Sequence, residues 1–175
     1  MRRGIDYYIL LFFVTSFIGW IWEVLLYLFW MGEFINRGVY HGPYLPIYGF
    51  ACVGMCLWLK KYRGRWLASF LIALVFCTIL EYISSWYLEW MWGCRWWDYT
   101  EYFCNINGRV CLAASLGFGI GGMLFNCVFM KCYNEVYARI PSKSAVISSV
   151  VLVLILTIDA VYSGMYPHIG YGIGG

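Results

Sequence analysis

The sequence predicts an all-α fold, a polytopic membrane helix bundle with five transmembrane helices. Hydrophobic residues make up 63% of the 175 positions and charged residues only 12%, and the mean hydropathy is +0.70. This composition is typical of an integral membrane protein and excludes an ordinary soluble domain. The apolar residues are also grouped into segments long enough to cross a bilayer, which takes about 20 residues per helix.

Five such segments account for nearly the whole chain. The predicted spans run from Ile5 to Met31, from Tyr44 to Leu59, from Trp66 to Trp92, from Val110 to Met130 and from Ala145 to Tyr166. The first span is too long for a signal peptide and no small-residue cleavage site follows it, so we expect it to remain as a helix. We therefore expect one transmembrane domain over residues 1–166 and a Gly-rich tail over residues 167–175.

The distribution of Lys and Arg predicts the orientation. If the N-terminus is cytoplasmic, nine of the 12 Lys and Arg residues lie on that side, including those of a short loop from Lys131 to Ser144. The other side holds Arg37, Arg95 and Arg109. Because positive charge is concentrated in cytoplasmic loops, the N-terminus is predicted inside and the C-terminus outside.

Three acids inside the spans are the most informative residues. Glu23, Glu81 and Asp159 each lie roughly 15 to 18 residues beyond the cytoplasmic start of their helix, or about 22 to 27 Å. All three are therefore expected at a similar depth in the outer part of the bilayer. Ionisable groups inside a membrane are energetically unfavourable and commonly functional, which makes these acids candidates for a binding site.

Helical spacing gives each of these helices one polar face. The faces consist of Ser16, Gly19, Glu23 and Tyr27 on the first helix, Glu81, Ser85 and Glu89 on the third, Ser115, Gly119, Gly122 and Asn126 on the fourth, and Ser148, Asp159 and Ser163 on the fifth. We expect these faces to meet each other, a partner subunit or water, because a charge that faces lipid is unfavourable. The glycines Gly117, Gly119, Gly121 and Gly122 are predicted to allow close helix contact.

Two polar loops lie on the predicted outer side. Residues 36–49 are too rich in Gly and Pro to continue a helix and predict a re-entry loop that starts the second helix. The second loop runs from Gly93 to Arg109. We expect both loops to fold over the acids, with Arg37 and Arg109 paired to Glu23, Glu81 or Asp98. The alternative is that the acids and arginines pair only to hold the bundle closed.

The intramembrane acids and the polar side chains of the two loops together form a predicted solute-binding site. Its residues are Glu23, Asn36, Arg37, His41, Glu81, Asp98, Asn107, Arg109 and Asp159.

Other kinds of site have little support in the sequence. Gly117 to Gly122 follows no strand and precedes no Lys-Ser or Lys-Thr, so it is not a nucleotide-binding loop. We expect no cofactor and no metal, because the eight cysteines lack histidine partners and suit small buried positions. A disulfide between Cys94 and Cys104 stays open. Neither the net charge of +3 nor any basic run gives a reason to expect a nucleic-acid partner.

Several motifs occur in a characteristic order between Ile5 and Gly122. They are Gly19-Trp20 with Glu23, Asn36-Arg37-Gly38, Gly42-Pro43, Pro46-Ile47-Tyr48-Gly49, Glu81, Trp97-Asp98-Tyr99 and Asn105-x-x-Gly108-Arg109. Together they resemble the ABC-transporter type IV permease family of the CmpB type. The resemblance implies a multi-pass subunit of a transporter in the bacterial cytoplasmic membrane.

Three functions stay open. In the first, the protein is a transport subunit that binds a small polar or cationic solute and couples through the loop from Lys131 to Ser144 to a cytoplasmic ATPase. In the second, it is an intramembrane enzyme that uses carboxylates on a lipid-linked or cell-envelope substrate. In the third, it is an accessory protein of a membrane partner. Five helices leave limited room for a whole transporter, so a homo-oligomer or a partner membrane protein is expected in each case.

Overall fold

The computed structural model describes residues 4–36 and 38–167, and the regular elements of this part of the chain are helices joined by loops. The elements are α1 (Ile5–Met31), α2 (Pro46–Trp58), a 3₁₀ turn (Leu59–Tyr62), α3 (Trp66–Trp92), α4 (Leu112–Leu124), a π-helical turn (Phe125–Phe129), α5 (Met130–Ala138) and α6 (Ser142–Met165). The one β-type pairing in the described ranges is an isolated bridge between Ile106 and Val110. The all-α prediction is confirmed.

Within residues 4–36 and 38–167, four helices are long and apolar enough to cross a membrane. They are α1, α3, the continuous helix Leu112–Ala138 and α6. The first and third predicted spans agree with α1 and α3 at both ends. The second predicted span corresponds to α2, whose 13 residues extend about 20 Å and are shorter than the hydrocarbon core of about 30 Å. The predicted count of five spans is therefore not confirmed by helix length.

The loop predicted from Lys131 to Ser144 is wrong. The helix that contains α4 continues through the π-helical turn and α5 to Ala138, and α6 begins at Ser142. Charged residues in this segment are compatible with a helix, and the first strong helix breaker is Pro141. The connection is thus reduced to residues 139–141.

The described chain forms two compact units. The first unit combines the chain up to Val53 with the chain from Tyr133 onward, and the second unit runs from Gly54 to Cys132. Residues 168–175, which make up most of the predicted Gly-rich tail, lie outside the described part of the chain, as does Arg37. A single transmembrane domain over residues 1–166 stays a prediction.

Helices α1 and α6 run parallel in the first unit. Their N-terminal turns meet at a common groove, which is lined by Ile5 and Asp6 of α1 and by Val146, Ser149 and Val150 of α6. The Ser149 hydroxyl donates to the carbonyl of Asp6 at 3.4 Å. The loop that follows α1 contacts the C-terminal half of α6 through Asp159. Ser148, predicted on the polar face of α6, is exposed, and Ser149 is buried instead because it faces the start of α1.

Helix α2 runs back along α1 in this unit. The amide of Leu45 donates to the carbonyl of Ser16 at 3.0 Å. A Cβ added at Gly49 would lie 2.3 Å from the Ser16 hydroxyl oxygen, and one added at Gly19 would lie 2.3 Å from the Tyr48 ring. These glycines allow the two helices to approach closely. The chain therefore begins α2 beside the middle of α1, as the predicted re-entry loop requires.

Helices α3 and α4 pack antiparallel in the second unit. The hydroxyl of Thr78 donates to Ser115 at 2.8 Å, and the Asn126 amide donates to Ser69 at 2.9 Å. The predicted polar face of α4 is confirmed as a buried stripe. Its members are Ser115, Gly119, Gly122 and Asn126.

Only two of the four glycines on α4 make the predicted close contact. A Cβ added at Gly122 would lie 2.3 Å from the Cβ of Ala73, and one added at Gly119 would lie 2.7 Å from the Phe70 ring. A Cβ added at Gly117 or Gly121 would have no neighbouring atom within 4 Å. The prediction is wrong for these two, because at helical spacing they point away from α3.

Adjacent glycines in α4 provide a matched pair for testing this contact. We expect Gly122→Ala to destabilise the protein by about 1–3 kcal/mol, because the added methyl overpacks the contact with Ala73. Gly121→Ala should leave stability unchanged or raise it, since its Cβ enters open space and alanine favours the helix. Thermal unfolding in detergent would measure both, and equal unfolding temperatures for the two variants would contradict the packing described.

Candidate functional site

The first polar loop, which the structure describes at residues 32–36 and 38–45, is organised by Asn36. Its side-chain oxygen accepts hydrogen bonds from the Trp20 indole at 2.8 Å and from the Gly38 amide at 3.1 Å. Its side-chain nitrogen donates to the carbonyls of Tyr40 and His41 at 3.5 and 3.2 Å. Asn36 therefore shapes the loop and ties it to α1.

Asp159 of α6 holds the same loop from the other side. One carboxylate oxygen accepts from the His41 amide at 3.2 Å and from the Ser163 hydroxyl at 3.1 Å. The second accepts from the Gly42 amide at 2.8 Å and from the Tyr44 hydroxyl. The side chain is only 14% exposed. With four donors around one carboxylate, the charge on Asp159 is well compensated within this unit.

Gly42 and Tyr44 fit closely around the Asp159 carboxylate. A Cβ at Gly42 would lie 2.3 Å from the Tyr44 ring and 2.9 Å from the Asp159 carboxylate, so no side chain fits there. The hydroxyl of Tyr44 donates to the Asp159 carboxylate, and its ring fills the space beside Gly42.

His41, Ser163 and Asp159 are residue types found in catalytic triads, but their order here is different. The Ser163 oxygen lies 2.8 Å from His41 Nδ1 and 3.1 Å from the Asp159 carboxylate. Ser163 thus stands between the other two and is fully buried, whereas a triad places histidine in the middle and exposes the serine. The spacing of four residues predicted that Asp159 and Ser163 share one face of the helix, but it did not predict their contact with His41.

Glu23 contacts a different element. Its carboxylate accepts from the Tyr48 hydroxyl of α2 at 2.7 Å, and its side chain is partly buried. In the first unit, the loop network therefore brings together Asn36, His41 and Asp159, while Glu23 links α1 to α2.

The second polar loop, residues 93–111, is folded by backbone bonds. The Tyr99 amide donates to the Gly108 carbonyl at 2.7 Å, and the Trp97 indole donates to the Arg109 carbonyl at 2.9 Å. Asn107 and Gly108 both have positive φ angles, 53° and 65°, which turns the chain sharply before α4. The Asn107 amide then donates to the Tyr82 hydroxyl of α3 at 2.8 Å.

Arginines from this loop surround the end of α3. Arg109 forms an ion pair with Glu89 and donates to the Ser85 hydroxyl at 3.2 Å. Arg95 lies 3.3 Å from Glu89 and 3.7 Å from Asp98. The acid that pairs with Arg109 is thus Glu89, which was not among the three acids predicted for it. Glu89 lies one helical turn beyond Ser85, so both face the returning loop.

Glu81 lies deeper on the same face of α3. Its side chain is only 4% exposed, and it accepts a hydrogen bond from the Tyr99 hydroxyl at 3.2 Å. Nearer the surface, the Thr100 hydroxyl and amide lower the pKa of Asp98, with a smaller contribution from Arg95. Asp98 is therefore ionised at neutral pH.

The second unit thus unites four predicted site residues along the C-terminal half of α3: Glu81, Asp98, Asn107 and Arg109. Sequence reasoning missed the roles of Glu89, Arg95 and Tyr99, which complete the cluster. Within the described ranges, no group of three His, Cys, Asp or Glu residues could hold a metal ion. Cys94 and Cys104 carry free thiols.

A family model described as "Putative ABC-transporter type IV" matches residues 10–164, a range that includes both polar loops and all nine predicted site residues. The chain belongs to this family. As a member of the ABC-transporter type IV family with four helices able to span a bilayer, it is a multi-pass membrane protein. No curated protein and no solved structure matches the chain.

The contact between Asp159 and the first polar loop can be tested by exchange of backbone hydrogens. In Asp159→Asn, we expect the amides of residues 38–45 to exchange at least about tenfold faster, because the hydrogen bonds to a charged acceptor are weakened. Hydrogen–deuterium exchange followed by mass spectrometry would measure this. Ser148→Ala, an exposed change on the same helix, should leave the loop unaffected. Unchanged exchange in Asp159→Asn would show that the carboxylate does not hold the loop.

Proposed function

We propose that the protein is the membrane subunit of an ABC-type transporter in the bacterial cytoplasmic membrane, and that it binds a small polar or cationic solute at Glu81. The observation that carries this proposal is the carboxylate itself, which is almost fully buried in a spanning helix and contacts Tyr99 of the second polar loop. Family membership supports the transport role.

The charge distribution around Glu81 supports a cationic or polar solute. A buried carboxylate is unfavourable in an apolar helix and gains most from a cation or from several hydrogen-bond donors. The arginines of this cluster, Arg95 and Arg109, both contact Glu89 at the end of α3. A solute that brings its own positive charge or N–H groups would therefore complement the deeper acid.

We propose that a solute reaches Glu81 from the second polar loop along the polar face of α3. Glu81, Ser85 and Glu89 recur every four residues and span about 12 Å along the helix. Arg109 contacts both Ser85 and Glu89, so it lies across the route between the loop and Glu81. We propose that movement of Arg109 opens this route.

The chain is proposed to cross the membrane five times, with the N-terminus inside. Parallel packing of α1 and α6 requires an odd number of crossings between them. Helix α3 and the helix Leu112–Ala138 supply two, which leaves one for residues 32–65. Helix α2 can supply it despite its length, because Leu45 already lies beside Ser16 in the middle of α1. Both polar loops then open to the same side of the membrane.

A separate ATPase is proposed to supply the energy, because the chain has no nucleotide-binding motif of its own. With residues 131–138 in a helix, the surface available for coupling is that helix end together with the short connection to α6. A second copy of the chain or a partner membrane protein would complete the translocation path.

A tagged full-length protein, extracted gently from its native membrane, tests the proposal. We expect a co-purified polypeptide with ATPase activity that is stimulated by one member of a panel of alkali cations, amino acids and polyamines. Glu81→Gln should reduce this stimulation at least about tenfold, because a charged interaction is lost. The measurement is ATP hydrolysis by the complex in lipid nanodiscs.

Glu101→Gln provides the control, since it removes an exposed carboxylate from the same polar loop and should leave the stimulation unchanged. If native mass spectrometry detects no ATPase bound to the protein, the proposed subunit role is contradicted. Wild-type stimulation in Glu81→Gln would retain that role and exclude Glu81 as the binding residue.

A further inference from the structure

The turn between α2 and α3 contains a partly buried cationic side chain, Arg63. The Nε and Nη2 atoms of Arg63 are buried and have no hydrogen-bond partner among residues 4–36 and 38–167. A guanidinium group stays charged at any physiological pH, and leaving its donors unsatisfied away from water is strongly unfavourable. We propose that an anionic phospholipid headgroup binds Arg63, whose guanidinium group turns toward the lipid so that phosphate oxygens accept these two hydrogen bonds. This inference requires only that the chain lies in a membrane and does not depend on the transport role.

The sequence around Arg63 favours an anion. Lys60, Lys61 and Arg65 lie within three residues and are exposed. No Asp or Glu occurs between Glu33 and Glu81. Glu81 lies 15 residues beyond the start of α3, about 22 Å along the helix. The other acids of the second unit, Glu89, Asp98 and Glu101, are still further along the chain.

The start of α3 adds a second source of positive potential. Its N-cap is Arg65, which makes no side-chain capping hydrogen bond. The first amides of the helix therefore lack an acceptor from the cap, and the helix dipole favours an anion at this end. A phosphate group has enough oxygen atoms to accept from both the guanidinium and a backbone amide.

The neighbouring side chains favour a lipid over an acidic protein as the source of the anion. Trp58, Trp66 and Leu67 flank the turn and are 66%, 49% and 72% exposed. Tryptophan is enriched at the level of lipid headgroups, and basic residues beside a span attract anionic lipids of the cytoplasmic leaflet. A phospholipid would place its phosphate at Arg63 and its acyl chains along the exposed apolar residues, which matches both features.

The proposal is tested by lipid titration of the purified full-length protein in a neutral detergent. Native mass spectrometry would follow binding of phosphatidylglycerol, with phosphatidylcholine as the zwitterionic comparison. We expect the wild type to prefer phosphatidylglycerol. Arg63→Gln should weaken its binding by about tenfold or more, because two charge-assisted hydrogen bonds are lost. Arg139→Gln removes the same charge from an exposed position and should retain wild-type binding.

Two further measurements locate the bound lipid and distinguish it from free phosphate. Photoreactive phosphatidylglycerol on the wild-type protein should label residues 58–67, which keeps the test valid even if Arg63→Gln fails to fold. Millimolar inorganic phosphate should not displace the bound lipid. Equal binding by Arg63→Gln and Arg139→Gln, labelling confined to other segments, or displacement by free phosphate would each overturn the assignment to a phospholipid.

Discussion

Three hydrogen bonds from the first polar loop to the Asp159 carboxylate determine where this loop lies, and Ser163 of α6 donates a fourth. Donors from His41, Gly42, Tyr44 and Ser163 converge on this side chain in the C-terminal half of α6. An acid in an apolar helix needs such compensation, and a polar loop inside a membrane needs acceptors for its amides. The carboxylate thus supplies acceptors for the loop, and the loop supplies donors that compensate the carboxylate. With the loop held there, α2 starts beside the middle of α1, and the proposed fifth crossing rests on this position.

In the second unit, acids of a helix and a polar loop also contact each other, but through different residues. There the acids of α3 meet the loop of residues 93–111 through Arg95, Tyr99 and Arg109. The chemistry differs in a way that matters for function. Asp159 has its charge compensated by donors that hold the first polar loop, so it is assigned a structural part. The proposed solute site is placed at Glu81 because this acid is deeply buried on a face of α3 lined by further polar groups.

Sequence reasoning located the helices well where a physical stop follows an apolar run. Helices α1 and α3 end at Gly32 and Gly93, which adopt the left-handed conformation that glycine favours. Sequence reasoning ended the fourth helix too early, because a helix can leave the bilayer without any change in backbone structure. This helix continues to Ala138. The stripe from Ser115 to Asn126 was also predictable, since helical spacing alone determines it.

The side-chain pairs were harder to predict. Spacing placed Glu81 and Glu89 on one face, but the choice of Glu89 as the partner of Arg109 depends on how the loop returns. That path is set by the positive φ angles of Asn107 and Gly108, which no periodicity reveals. The role of Ser163 likewise depends on a contact with His41 across 122 positions of sequence.

The location of the two chain ends tests the central claim, that a loop held by Asp159 allows the short helix α2 to complete a fifth crossing. Green fluorescent protein, which fluoresces when it stays in the cytoplasm, and alkaline phosphatase, which is active only outside it, would each be fused to either end. We expect fluorescence only for the N-terminal fusion and phosphatase activity only for the C-terminal fusion. If both ends report the same side, the chain crosses an even number of times, and α2 does not span the membrane as described.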